Sequence, residues 1–262
     1  MDEYYHFTKY EYLDNISKVG LITQVGDRSF SINDEREAVY LSKGKLSAIL
    51  MFFAMKWFYD SRKGEAGQQL LSSTIESIEY YNKLLEREQN KTRRIPFLRK
   101  NIEELKKNRE AAIRVKNQVE NMNKYSSFEE YIGKGVYLSI HNVANVKYNY
   151  PDFHNCWVEE NIEPENINVV ILKNKDTGEI IDDKNSIINY FMAMTSSSDL
   201  FIEYKSTIGI NDDKYTAHDT MKDFDNYYKK HEEEFNILRN NYNLMELPIK
   251  EYMNIYEKNI KR

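Results

Sequence analysis

The chain has 262 residues, of which 41% are hydrophobic and 30% charged, with a mean hydropathy of −0.73 and a formal net charge of −5. That length suits one large domain or two small ones, and 21 Tyr and 12 Phe are far more than a disordered chain carries. The negative balance argues against whole-surface attraction to nucleic acid or anionic lipid, and a single cysteine, Cys156, excludes an intrachain disulfide and a multi-cysteine zinc site.

The opening residues are acidic and aromatic, without the charged, apolar and cleavage regions of a secretory signal. "YYHFT" predicts a strand, Tyr10 to Val19 a helix with Gly20 just past its end as a C-cap, and "AVYLS" a second strand. The most apolar run, Leu46 to Tyr59, is shorter than the roughly 20 residues a bilayer crossing needs and contains Lys56, so it predicts a buried helix. Helical periodicity then continues to about Tyr131. Apolar positions Ile75, Ile78, Leu84 and Leu85, then Ile102, Leu105, Ile113 and Val119, predict two long antiparallel helices. They break near "TRRIPF", where Pro96 disfavours helical geometry in Ile95. From Gly133 strands return as "GVYLSI", "NCWV" and "NVVIL", a Thr177-Gly178 turn separates paired segments, and the tail after Asp219 reads as helical. The fold class is therefore α+β, with a helical hairpin inserted in a sheet domain. Cys156 is expected to pack, and its solitary thiol fits a reducing, cytoplasmic setting with no membrane partner.

"YHFTKYEYLDNISKVGLI" followed by "DEREAVYLSKGKLSAIL" resembles the opening of the ADP-ribosyltransferase superfamily. The likeness is to its diphtheria-toxin-like and poly(ADP-ribose) polymerase-like branch and to the DarT-type DNA-modifying toxins. It covers about the first 50 residues well and Tyr131 to Leu172 loosely, and it does not extend to the helical insertion. It implies a split β-sheet core, and together with the helical periodicity this gives a single domain over residues 1–262 with a helical insertion at about 60–130 and a helical tail at about 219–262. It also implies NAD+ as substrate and a protein or nucleic-acid acceptor. In that family the first-strand histidine hydrogen-bonds the adenosine ribose, which here is His6, with Thr8 in the same pocket. The second-motif tyrosine stacks on nicotinamide, which here is Tyr40, and Ser42 lines the nicotinamide pocket. "GKGVYLSI" offers a competing tyrosine, Tyr137, but Tyr40 follows the histidine after one helix and one loop and runs directly into a helix, as the family's motif does.

The family's third element is a glutamate on a late strand, and here the chain departs from the pattern. In "DFHNCWVEENIEPENINVVIL", Asn155 or Cys156 stands about where that acid falls, and Glu159 and Glu160 follow at the strand's end. Strand alternation aims only one of them at a cleft, and Glu159 is the candidate acid. If neither faces the pocket, the same fold binds NAD+ or ADP-ribose without turnover, and the helical insertion becomes the partner surface.

Other residues carry two readings. Arg28 and Arg36 flank "GDRSFSINDER", where a guanidinium either clamps a pyrophosphate bidentately or neutralises Asp27, Asp34 and Glu35. The basic run from Lys91 to Lys116 either grips phosphates or is a solvated face laced with Glu103, Glu104 and Glu110, and the second reading is preferred. The five histidines, at positions 6, 141, 154, 218 and 231, never fall at the i, i+4 spacing of a helical zinc pair, so no metal site is expected. No phosphate loop of Walker spacing and no Gly-x-Ser-x-Gly elbow occurs. The richness in Lys, Asn, Ile and Tyr points to an AT-rich bacterial or phage coding bias, which leaves a toxin or defence role as a candidate.

Overall fold

Alternating aromatic and polar residues make "YYHFTK" a strand with two usable faces, and it becomes the centre of the sheet. A computed structural model describes residues 3–24, 37–92, 99–148, 156–208 and 217–260, without the side chains of 90–92, 99–100, 203–208, 217–220 and 256–260. In chain order the elements are β1 (Tyr4–Lys9), α1 (Leu13–Val19), β2 (Val39–Lys43), α2 (Gly44–Asp60), α3 (Gly64–Thr92), α4 (Arg99–Met122) and α5 (Phe128–Ile132). There follow β3 (Gly135–Ile140), β4 (Lys147–Tyr148), β5 (Cys156–Val158), β6 (Ile167–Asn174), β7 (Ile180–Ile181) and α6 (Lys184–Ala193). The described chain ends with α7 (Ser197–Ile208), α8 (Ala217–Lys230), α9 (Glu232–Asn241), β8 (Tyr242–Pro248) and α10 (Ile249–Ile260). The class is α+β. Two compact units divide these elements, one formed by the residues up to Gln24 with Glu37–Met55 and the chain from Gly133, the other by Lys56–Ile132.

The first unit holds an open antiparallel sheet in the order β4-β5-β2-β1-β3-β6-β7, with β8 paired to β6. One face buries Tyr4, Leu41, Val136, Leu138, Ile140, Cys156, Val169 and Ile171 with Leu13 and Ile16 of α1 and Ile249 and Tyr252 of α10. The register explains the grouping, because Tyr4↔Ile140, His6↔Leu138 and Thr8↔Val136 place every second residue of β1 on that side. On the opposite face Tyr5, Phe7 and Tyr137 meet Phe191 or one another at ring centroids of 5.2 to 6.0 Å. Asp183 starts α6 by accepting the amides of Asn185 and Ser186 at 3.1 and 3.0 Å.

The second unit is the helical hairpin. Arg109 Nε of α4 donates to Asn82 of α3 at 2.6 Å, and Arg62 Nε, just before α3, donates to Gln118 near the end of α4 at 3.3 Å, so the start of one helix lies by the end of the other, which is antiparallel packing. Arg62 also lies 3.5 Å from the Phe58 ring centroid, and burial pulls its guanidinium below its ordinary range. At the start of α5 the Ser126 amide and hydroxyl both donate to Glu130, holding that carboxyl below the usual carboxylate range.

The tail differs from the sequence expectation. Read as helical from Asp219, it carries the strand β8 between α9 and α10. Leu244, Met245 and Glu246 are good helix formers, and seven register pairs with β6 override that preference. Among the described residues no helix is long and apolar enough to cross a membrane.

Candidate functional site

The site is set by where two ladders part. β1 pairs with β3 along its whole length, from Tyr4↔Ile140 to Lys9↔Gly135, but with β2 only at Tyr4↔Lys43 and Tyr5↔Ser42. Beyond that point β2 pairs instead with β5, at Leu41↔Cys156, Tyr40↔Trp157 and Val39↔Val158. His6 is the first residue of β1 past the parting. Its Nδ1 lies 2.8 Å from the Tyr40 carbonyl oxygen. A carbonyl only accepts, so Nδ1 carries the proton and the imidazole takes the place of the main-chain donor that β1 no longer supplies.

The other predicted residues are distributed around this point. Tyr40 is half-buried with its hydroxyl oxygen buried, so the part of the residue left accessible is away from its tip. Its register partner is Trp157, which places both rings on the same side of the sheet. His6 lies by alternation on the other side, with Leu138, and meets Tyr40 through the main chain. Thr8 is buried opposite Val136 on His6's side, and Ser42 is half-buried opposite Tyr5. Tyr137 lies in β3 with its ring edge-on to Phe7 at 6.0 Å. Cys156 is buried and its thiol donates to the Leu41 carbonyl at 3.2 Å, a packing role. Arg28 and Arg36 lie outside the described residues.

Glu159 and Glu160 are aimed differently. The Trp157 indole N–H donates to Glu159 Oε1 at 3.3 Å, and Lys147 Nζ donates to Oε2 at 2.5 Å. Lys147 is itself the register partner of Trp157. Glu160 instead accepts from Asn145 at 3.4 Å. The structure therefore links Tyr40, Trp157, Glu159 and Lys147 through one strand pair and its neighbour. Trp157 and Lys147 escaped the sequence reading. Trp157 stands two residues before Glu159, and a strand period of two puts both on one side, which is the signal that could have found it.

A second polar group sits on β3, β6 and β8. His141 Nε2 contacts both Ser139 Oγ, at 3.0 Å, and Glu246 Oε2, at 2.8 Å, while Asn168 donates to the same carboxylate oxygen at 3.3 Å. A serine relay needs the hydroxyl and the carboxylate on different ring nitrogens, and here one nitrogen serves both. Nearby, burial, Glu3 and Glu246 raise the Tyr5 phenol far above its ordinary range, and it donates to Glu3 at 3.1 Å as a neutral group.

Two concave surfaces lie elsewhere among the described residues. One of about 580 Å³ is lined by Met194, Ser197, Phe224, Tyr228, Lys229 and Arg239, and none of the predicted site residues lines it. The parting of β1 from β2, where His6 meets the Tyr40 main chain, is therefore the candidate. Among the described residues no cluster of three or more His, Cys, Asp or Glu is placed to hold a metal ion. No protein-family model, no curated protein and no solved structure matches the chain.

Proposed function

We propose that the chain is an NAD+-dependent ADP-ribosyltransferase acting on a protein or nucleic-acid acceptor. The observation that carries this reading is the hydrogen bond from His6 to the Tyr40 carbonyl where the two ladders separate, since it joins two of the residues the resemblance singles out, 34 positions apart. The reaction breaks the bond between ribose C1′ and the nicotinamide nitrogen, whose electron pair leaves with neutral nicotinamide. An acceptor oxygen or nitrogen then bonds to C1′ and loses its proton to solvent. Such a step asks for an aromatic wall, fixed hydrogen bonds and a carboxylate near the developing positive charge. Tyr40, Trp157 and Glu159 supply aromatic surface and a carboxylate on one face of the sheet, and His6 joins them from the other face through the Tyr40 main chain.

Lys147 favours a second reading. Its ammonium compensates Glu159, as expected of a module that binds NAD+ or ADP-ribose without turnover and uses the helical hairpin as its partner surface. Nicotinamide release from NAD+ separates the two. The purified chain is expected to release nicotinamide, and a His6→Ala, Tyr40→Ala double variant that keeps its far-ultraviolet dichroism is expected to fall to background. Equal background rates from both proteins would defeat the transferase.

A further inference from the structure

The sheet finishes its margins unequally. β4 and β7 are two residues long, too short to template another chain. β8 has seven residues and pairs with β6 from Asn168↔Pro248 to Asn174↔Tyr242. Among the described residues no strand pairs with its other side. An extended strand points N–H and C=O groups to both sides, so the outer side of β8 carries a row of groups that β6 does not reach.

Natural edges are blunted by lysine, bulges, proline or exposed charge. The β8 sequence "YNLMELP" has no lysine, its register runs without a bulge, and its proline stands at the last position. Its one charge, Glu246, is drawn back onto its own sheet by His141 and Asn168. At the strand's middle, Met245 is 39% exposed, although its register partner Ile171 is core and the neighbouring Leu247 packs against that core. The apolar side of the sheet therefore runs to the margin and stops at an exposed methionine.

We infer that β8 is a dimer interface on which a second copy of this chain lays its own β8, antiparallel, across a two-fold axis at Met245. An antiparallel strand is self-complementary about such an axis, which a strand from an unrelated partner is not. Centring the register on Met245 sets Asn243 against Leu247, Leu244 against Glu246 and Tyr242 against Pro248, so no like charges oppose and the apolar side becomes continuous. This surface is independent of the reading of His6 and Tyr40.

Sedimentation of the full chain over a concentration series tests it. The dimer mass is expected at the upper concentrations. Met245→Lys and Met245→Glu are each expected to sediment as monomers, because the axis brings identical charges to within about 5 Å. An equimolar mixture of the two variants is expected to recover the dimer, which also shows that both remain folded. A wild-type monomer throughout overturns the proposal. So does a dimer that both variants preserve, or a mixture that stays monomeric while each variant keeps the wild-type melting curve.

Discussion

Gly20→Ala is expected to lower the unfolding free energy by about 3–5 kcal/mol, among the larger effects a single substitution produces. Gly20 ends α1 with φ 80° and ψ −167°, a region essentially reserved for glycine, and forcing another residue there costs about 1–3 kcal/mol. An added Cβ would also stand 2.0 Å from the Ile162 carbonyl oxygen. That carbonyl cannot step aside cheaply, because it accepts from the Leu21 amide at 2.9 Å while the Ile162 amide donates back to Leu21 at 2.9 Å. Relieving the clash breaks this bridge, at about 1 kcal/mol per hydrogen bond, and loosens two core side chains. Gly44→Ala isolates the conformational part. Its φ is 73° but nothing lies within 4 Å of the position an added methyl would take, so about 1–2 kcal/mol is expected. Urea midpoints measure both, and equal shifts for the two variants would rule out the steric contribution at Gly20.

Glu159→Gln is expected to cut nicotinamide release by about 10²–10³-fold, the usual effect of removing one group that stabilises transition-state charge. The substitution keeps shape and removes charge. Glu159 is exposed and its ion pair with Lys147 is on the surface, where such pairs contribute about 0–1 kcal/mol, so the melting temperature should hardly move. Glu160→Gln is the internal control. Its carboxylate is engaged by Asn145 in place of Trp157, and its rate should match the unsubstituted chain. If Glu159→Gln releases nicotinamide at the full rate, the carboxylate takes no part and the binding reading gains.

The strands β1, β2 and β3 were legible from aromatic and β-branched residues between clear turn signals, and β6 as a short continuous apolar run. The hairpin was legible through helical periodicity carried over many turns in α3 and α4. β8 was not, since Leu244 to Leu247 is as good a helix as a strand until β6 is beside it. β4 owes its two residues wholly to pairing with β5, which no local pattern announces. At the site, the pattern named His6 and Tyr40 but not how they meet. The hydrogen bond from imidazole to main chain depends on β1 and β2 parting after Tyr5 and Ser42, a feature of the whole sheet. Trp157 went unremarked because its relation to Tyr40 is one of register across strands more than a hundred residues apart.

The proposed site stands or falls on His6 touching bound NAD+. Long-range proton–nitrogen spectra of the imidazoles, recorded as NAD+ is added and assigned with a His6→Gln variant, test that most directly. The His6 ring signals are expected to shift and saturate, with the His231 signals unmoved. His6 signals that stay in place at millimolar NAD+ would contradict the site.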